Sequence, residues 1–405
     1  MGKLQGVGKA VGRVGALLAI VVATMLVGSG VARANPTSPS TSPSRLVTMT
    51  IPDRSGEVPS TWLNYSGPPR ANVLLPAGYD SHKRYPLLVL LHGLNCNYDW
   101  YAQTGLTTVL DGLNAIVVMP EGGSGWYTDW WNNGQRSGPA WESYELNEVI
   151  PTILAKYPIL PERRYHAIAG ISMGGLGAPY LGGRLPGFFG SVASLSGFVD
   201  PQYFAPVTDL AMGLTSLAPL HGDLNLFPVE GPPYGFYMAG HNPTRLAMNL
   251  KQTRVFLTTG NGQPSAAAAF NEPGSTEEGA IIYPMNRLYY PALKADAVDV
   301  TYQVHPGGHD IPDFANELKA MLAWGLFKPV VAHPGSWVND TVATSGQLWD
   351  IGYRFAQPPN RVVQFSRSAS TLSISRAGSN VTITTARGCV VHSGTPATID
   401  LTPGC

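Results

Sequence analysis

Short apolar runs rich in Val, Ile and Leu alternate with longer amphipathic stretches from Leu46 to about Phe327. That alternation predicts an α/β fold. Segments 87–91, 115–119, 165–169, 191–195, 254–258 and 299–304 are each too short for a helix and are bounded by Gly, Pro or Asn. They read as strands of one largely parallel, buried sheet. Segments 145–156 and 312–324 carry apolar residues at three- and four-residue spacing, the pattern of helices laid on a sheet. Between Asp200 and Leu250 the pattern breaks into Pro, Gly and aromatic residues, including Tyr203, Phe204, Phe227, Tyr234, Phe236 and Tyr237. Such an insertion serves either as a lid or substrate wall or as an ordinary packed excursion.

After about Val330 the chain changes character, to Ser, Thr, Gly and Val. Leu372 and Ile374, then Val381 and Ile383, alternate with small polar residues around a Gly378-Ser379-Asn380 turn, which predicts a small antiparallel β appendage. Its default role is packing and stability. At the other end, Lys3, Lys9 and Arg13 precede an apolar run from Ala16 to Val27 and then Ala32-Arg33-Ala34. This has the form of a secretory signal peptide, and the run is shorter than the ~20 residues that cross a bilayer. The expected organisation is a signal peptide at 1–34, a flexible Pro/Ser/Thr leader at 35–45, a catalytic domain at 46–328 and a β-rich domain at 329–405. The expected mature protein is secreted or associated with the cell envelope, with no integral membrane segment.

Composition narrows the function classes. The 405 residues hold 26 Lys+Arg against 26 Asp+Glu, and only 13% are charged, which argues against a nucleic-acid binder or a polybasic membrane anchor. With 44% hydrophobic residues the chain is not globally disordered, although Gly and Pro are abundant. Three cysteines are too few for a disulfide scaffold. Cys389 and Cys405 are expected to pair in an oxidising compartment, leaving Cys96 as a small buried residue.

The chemistry concentrates at Gly170-Ile171-Ser172-Met173-Gly174, which follows an expected strand and opens a helix. This is a nucleophile elbow, in which flanking glycines allow a strained turn that lifts the serine hydroxyl above the sheet edge. A serine hydroxyl needs a base, and in α/β hydrolases the order is Ser, acid, His, with the His in the loop after the last strand. Val304-His305-Pro306-Gly307-Gly308-His309-Asp310 is that loop. His309 is the candidate base and His305 a loop or packing residue; a zinc site of His305, His309 and Asp310 lacks a visible third-ligand pattern. Spacing leaves Glu272, Glu277, Glu278, Asp296 and Asp299 open as the acid, with both aspartates better placed as a helix cap and a strand start. Met173 and Leu94, the latter after the 87–91 strand in Leu91-His92-Gly93-Leu94, are the candidate oxyanion donors through their backbone N–H groups. No metal, no cofactor and no nucleic-acid partner is expected.

These pieces, together with Met119-Pro120-Glu121-Gly122-Gly123, Trp126-Tyr127-Thr128-Asp129-Trp130, Trp141-Glu142, Leu195-Ser196-Gly197-Phe198-Val199-Asp200-Pro201 and Gly260-Asn261-Gly262-Gln263-Pro264, resemble the esterase D-like α/β hydrolases. Within them the chain is similar to the secreted actinobacterial antigen 85 mycolyltransferases, over about Leu46 to Phe327. The resemblance implies the α/β-hydrolase fold, Ser172 as nucleophile, His309 as base, and Leu94 with Met173 as oxyanion donors. It places the triad acid at Glu278, with Glu277 one step away. The mycolyltransferases carry Asp where this chain has His92 and Arg where it has Asn95, both associated with holding trehalose. His92-Gly93 and Gly174-Gly175-Leu176 are instead esterase-like. The resemblance says nothing of the β appendage.

The leading expectation is an exported serine acyl-ester hydrolase or acyltransferase, acting on an acyl ester such as a cell-envelope lipid or glycolipid. The alternatives are a trehalose mycolyltransferase and a non-catalytic surface-binding protein on a hydrolase fold. His92, Asn95, Trp126, Asp129 and Trp130 are the candidate substrate contacts, with core filling or capping as their plainer roles.

Overall fold

The computed structural model describes residues 45–54, 56, 58–62, 65–131, 139–203, 226–227, 235–265 and 272–401. The expected signal peptide, residues 35–44 of the leader, Phe204, Tyr234 and Cys405 lie outside the described residues.

Among the described residues up to 305 the strands are β1 (Leu46–Thr50), the short hairpin β2 (Thr61–Trp62) with β3 (Tyr65–Ser66), β4 (Arg70–Leu74), β5 (Leu87–Leu91), β6 (Ile116–Pro120), β7 (His166–Ile171), β8 (Ser191–Leu195), β9 (Arg254–Gly260) and β10 (Asp299–His305). All but β2 and β3 join one sheet in the order β1-β4-β6-β5-β7-β8-β9-β10. Strands β5 to β10 run parallel, and β1 and β4 form an antiparallel edge. Sequence pattern did not isolate that edge, because β1 faces solvent on one side and mixes Thr with apolar residues.

The central strands are buried along their whole length, as strands covered on both faces must be. Leu87, Val89 and Leu91 belong to one core, which also takes Met173, Leu176 and Leu181 from the Met173–Arg184 helix. Leu88 and Leu90 point the other way, into a second core with Phe314, Leu318 and Met321 of the Ile311–Trp324 helix. The expected helix at 145–156 is a composite: an α turn at Trp141–Tyr144, a π turn at Glu145–Val149, then α-helix at Ile150–Lys156.

Beyond residue 330 the chain forms two four-stranded antiparallel sheets with their own core, including Leu348, Phe355, Phe365 and Ile383. One contains β11 (Ser336–Thr341), β14 (Val363–Ser368), β15 (Thr371–Ile374) and β18 (Ala397–Asp400); the other contains β12 (Ser345–Leu348), β13 (Ile351–Phe355), β16 (Val381–Thr385) and β17 (Val390–Ser393). The expected turn at Gly378-Ser379-Asn380 is present, with Gly378 at φ +84°. It carries the chain from one sheet to the other, so β15 and β16 are not paired. Alternation marks which residues face inward, not which strand lies alongside.

The β unit is docked firmly. Val342 joins the core of the α/β unit against Gly240, Asn339 donates to the Gly183 carbonyl at the end of the Met173–Arg184 helix (2.9 Å), and Asn249 donates to the Asp340 carbonyl (2.8 Å).

Candidate functional site

The parallel strands deliver their C-terminal ends to one edge of the sheet, where α/β folds gather chemistry. Ser172 follows β7 directly, at φ 58° and ψ −115°, a conformation that non-glycine residues seldom hold. The flanking glycines are sterically required. A Cβ on Gly170 would lie 2.2 Å from the Gly174 carbonyl oxygen, and one on Gly174 2.3 Å from that of Leu91. The Ser172 N–H donates to the Leu195 carbonyl (3.0 Å), and the Ser172 carbonyl accepts from Phe198 N–H (3.2 Å). The elbow is thus sewn to the end of β8.

His309 lies in the loop after β10, and its Nδ1–H donates to Glu278 Oε2 at 2.7 Å. The side chain of Glu278 is fully buried and that of His309 only 9% exposed. Glu278 begins a π turn, Glu278–Ile282, a widened helical turn that recurs at functional sites. Its other oxygen, Oε1, accepts from Ser196 Oγ (2.8 Å) and Thr259 Oγ1 (2.5 Å), so the carboxylate is held from the ends of β8 and β9. The imidazole is gripped edge-on by Phe314, and its backbone N–H donates to Gly274 O (3.0 Å). Glu277 stands on the other side of the ring, with Oε1 3.8 Å from Nε2. Asp296 caps the end of the Tyr283–Ala295 helix and Asp299 opens β10, the places expected for them.

Burial alone would lower the proton affinity of His309. The charges of Glu277 and Glu278 and the Glu278 hydrogen bond outweigh it and raise the pKa to about 9.

The 92–95 loop runs beside the elbow, since a Cβ on Gly93 would lie 3.6 Å from the Ser172 Cβ. Met173 is the first residue of its helix, where backbone N–H groups have no helical partner. Among the described residues, neither the Leu94 nor the Met173 N–H is engaged by another group. Cys96 is buried, donates to the Leu94 carbonyl at 3.4 Å, and has its thiol pushed far up by burial, so it braces this loop and offers no thiolate.

Of the candidate substrate contacts, His92 is 1% exposed. Its Nε2 accepts from Gly122 N–H (3.0 Å), so Nδ1 carries the hydrogen and donates to Gly93 O (2.8 Å). The Nε2 bond ties the 92–95 loop to the 119–123 loop and the Nδ1 bond closes on the next residue, so both nitrogens are occupied and the expectation of a substrate contact there is corrected. Trp126 and Trp130 are likewise buried, the first against Phe198, the second donating from its indole N–H to Gly125 O (3.2 Å). Asn95 and Asp129 are half-buried: Ser124 Oγ donates to Asn95 Oδ1 (3.2 Å), and Asp129 accepts from Ser143 N–H and Oγ (2.9 and 2.6 Å).

Sequence reasoning missed a second histidine–carboxylate pair behind the first. His305 Nε2–H donates to Glu317 Oε1 (2.9 Å), and that oxygen also lies 2.8 Å from Ser196 Oγ, the hydroxyl that meets Glu278. The residues converge from separate strand ends and a helix, so no local spacing advertises them.

Residues 65–325 match the family model described as putative esterase. Esterase Rv1288 of Mycobacterium tuberculosis is 29% identical over 249 residues, covering 60% of this chain and 52% of the relative. A diacylglycerol acyltransferase/mycolyltransferase, Ag85A of Mycobacterium leprae, is 28% identical over 218 residues, covering 48% of this chain and 61% of the relative. The chain thus spans about half the length of the first curated relatives it matches. Among solved structures, Mycobacterium tuberculosis MPT51 (FbpC1) superposes with a TM-score of 0.54 at 20% identity, over 72% of this chain and all of that one, a likeness of fold. On the family match, which spans well over half of its length, the chain belongs to the putative esterase family.

Proposed function

We propose that this chain is a serine ester hydrolase or acyltransferase in which Ser172 is the nucleophile, His309 the general base and Glu278 the acid that orients it. The observation that carries the reading is the 2.7 Å bond from His309 Nδ1–H to the buried Glu278, on the sheet edge that also presents the strained Ser172. With Nδ1–H given to Glu278, Nε2 is the nitrogen left to take the serine proton. Ser172 Oγ attacks the ester carbonyl and its proton passes to Nε2. The tetrahedral oxyanion takes hydrogen bonds from the Leu94 and Met173 N–H groups, and His309 returns the proton to the departing alkoxide. The acyl-serine then passes its acyl group to water or to a sugar hydroxyl by the reverse sequence. Relatives named as esterases and as mycolyltransferases support both acceptors. No residue of this mechanism calls for a metal or an organic cofactor.

The reading extends to the whole chain as an exported protein, cleaved after Ala34, with a hydrolase domain at 46–328, a β domain at 329–405 and a Cys389–Cys405 disulfide. A graded series of p-nitrophenyl acyl esters tests the chemistry, with Ser172→Ala as the control and trehalose as an added acceptor. Turnover that disappears in Ser172→Ala, with an acyl adduct on the wild-type protein by intact mass, is the expected result. A folded wild-type protein that turns over no ester in the series would overturn it, and acylated trehalose would assign transfer over hydrolysis.

A further inference from the structure

A cavity of about 680 Å3 opens between the hydrolase unit and the β unit. That volume lies within the ~300–1,000 Å3 typical of small-molecule sites, which favour domain junctions. None of Ser172, Glu278, His309 or Leu94 lines it. It sits at the C-terminal end of the Met173–Arg184 helix, whose 12 residues put it about 18 Å along that axis from the nucleophile. From the geometry and chemistry of its lining we infer that this cavity is a binding site for a neutral saccharide, separate from the catalytic centre.

The floor is prebuilt and rigid. Arg184 is buried and gives its Nε–H to Glu142, an Nη1 hydrogen to Tyr353 Oη (3.0 Å) and an Nη2 hydrogen to the Ser345 carbonyl (3.2 Å). Glu142 takes a second bond from Tyr180 Oη (2.5 Å), and Thr341 Oγ1 lies 3.1 Å from Tyr353 Oη. Both units therefore contribute to one network, which fixes the width of the cavity.

The rim decides the ligand class. Asn147, Arg354 and Thr384 bring amide, guanidinium and hydroxyl groups to the rim, beside Asp129, Gln347 and Thr382, which also bond Ser143, the Trp349 carbonyl and His392. Two carboxylates, Asp129 and Glu142, balance two guanidiniums, Arg184 and Arg354. An anion such as a phosphate gains no net positive field here, because the Arg184 charge is already matched by Glu142. An acyl chain would bury these polar groups without returning their hydrogen bonds, at a cost that excludes it. A polyhydroxyl compound can both donate to and accept from such a lining and brings no charge. The β unit, outside the matched family region, supplies about half of the wall.

The test uses Ser172→Ala full-length protein, so that turnover is absent, and saturation-transfer NMR with cellobiose, xylobiose and maltotriose as probes. At least one is expected to bind. The second variant, Ser172→Ala with Thr384→Trp, fills the cavity from an exposed strand position and is expected to weaken that binding about tenfold or more, with an unchanged melting temperature. Binding by none of the three sugars, or binding equal in the two variants, would overturn the inference. Neither result touches the esterase reading, which rests on turnover by the protein with Ser172 intact.

Discussion

Glu278 and Glu317 each place a carboxylate oxygen 2.8 Å from the same hydroxyl, that of Ser196. A hydroxyl has one hydrogen to give, so the two contacts are satisfied together only when Glu317 brings a proton of its own. Burial raises the Glu317 carboxyl to about 7, against the lowering effect of the His305 hydrogen bond, so Glu317 carries such a proton below that pH and a charge above it. Ser196 is held at φ 43° to reach both, a strained position for a serine. Ser196→Ala is expected to leave Glu278 with one fewer donor and to reduce kcat more than it raises KM, while costing about 1–3 kcal/mol of stability. Steady-state kinetics and urea unfolding check both halves; an unchanged kcat would show that Thr259 alone holds Glu278.

The pH profile follows from the carboxylates around His309. In the proposed mechanism His309 is a general base and works in its deprotonated form, so kcat/KM should climb with pH and level off near the His309 value of about 9. Glu277, 3.8 Å from Nε2, is the strongest of the charges raising that value. Glu277→Gln removes the charge, lowers the pKa and moves the acid limb to lower pH, giving a higher kcat/KM near neutrality. Glu317→Gln should move the limb in the same direction by less, since its charge contributes least among the acids acting on His309. A limb unmoved in Glu277→Gln would mean that another group controls it.

The elbow was legible because its signal is local, a buried strand followed at once by Gly-x-Ser-x-Gly. His309 was legible for a similar reason, as the far end of a glycine-rich loop closing the last strand. The acid was not, since Glu277 and Glu278 are adjacent and chain spacing is blind to which flank of the ring each takes. The resemblance placed the acid at Glu278, and in the structure Glu278 meets Nδ1 while Glu277 faces Nε2. Thr259, Ser196, His305 and Glu317 were illegible because each is ordinary within its own segment and meets the others only across the sheet edge. His92 misled for the opposite reason, since a polar residue in an active-site loop reads as a contact until both of its nitrogens are seen to be occupied.

The β unit acts as part of the hydrolase core. Val342 is 1% exposed and packs with residues of the main core, so Val342→Ala removes two methyl groups from a filled site. The expected loss is about 1–3 kcal/mol, read by urea unfolding with activity as the second probe. The two probes should report one transition, since the β unit and the hydrolase share packing at this point. Separate transitions would show that the two units unfold independently.

The same junction makes the protein acid-sensitive in a definite window. Burial would raise the Glu142 carboxyl, but the Arg184 guanidinium, with His241 and Tyr180, outweighs it and holds the group at about 2. A carboxylate whose folded pKa is depressed contributes stability above its unfolded value, and that contribution is lost as pH falls towards the folded value. Stability should therefore drop between about pH 4.5 and 2 in the wild type. Glu142→Ala leaves Arg184 buried without its counter-charge, which costs about 3–5 kcal/mol. The paired change Glu142→Gln with Arg184→Met removes both charges and should recover much of that loss while flattening the acid dependence. Unfolding free energies measured from pH 7 to pH 3 on the three proteins decide the point: an acid dependence that survives in the paired variant would move its origin to other carboxylates.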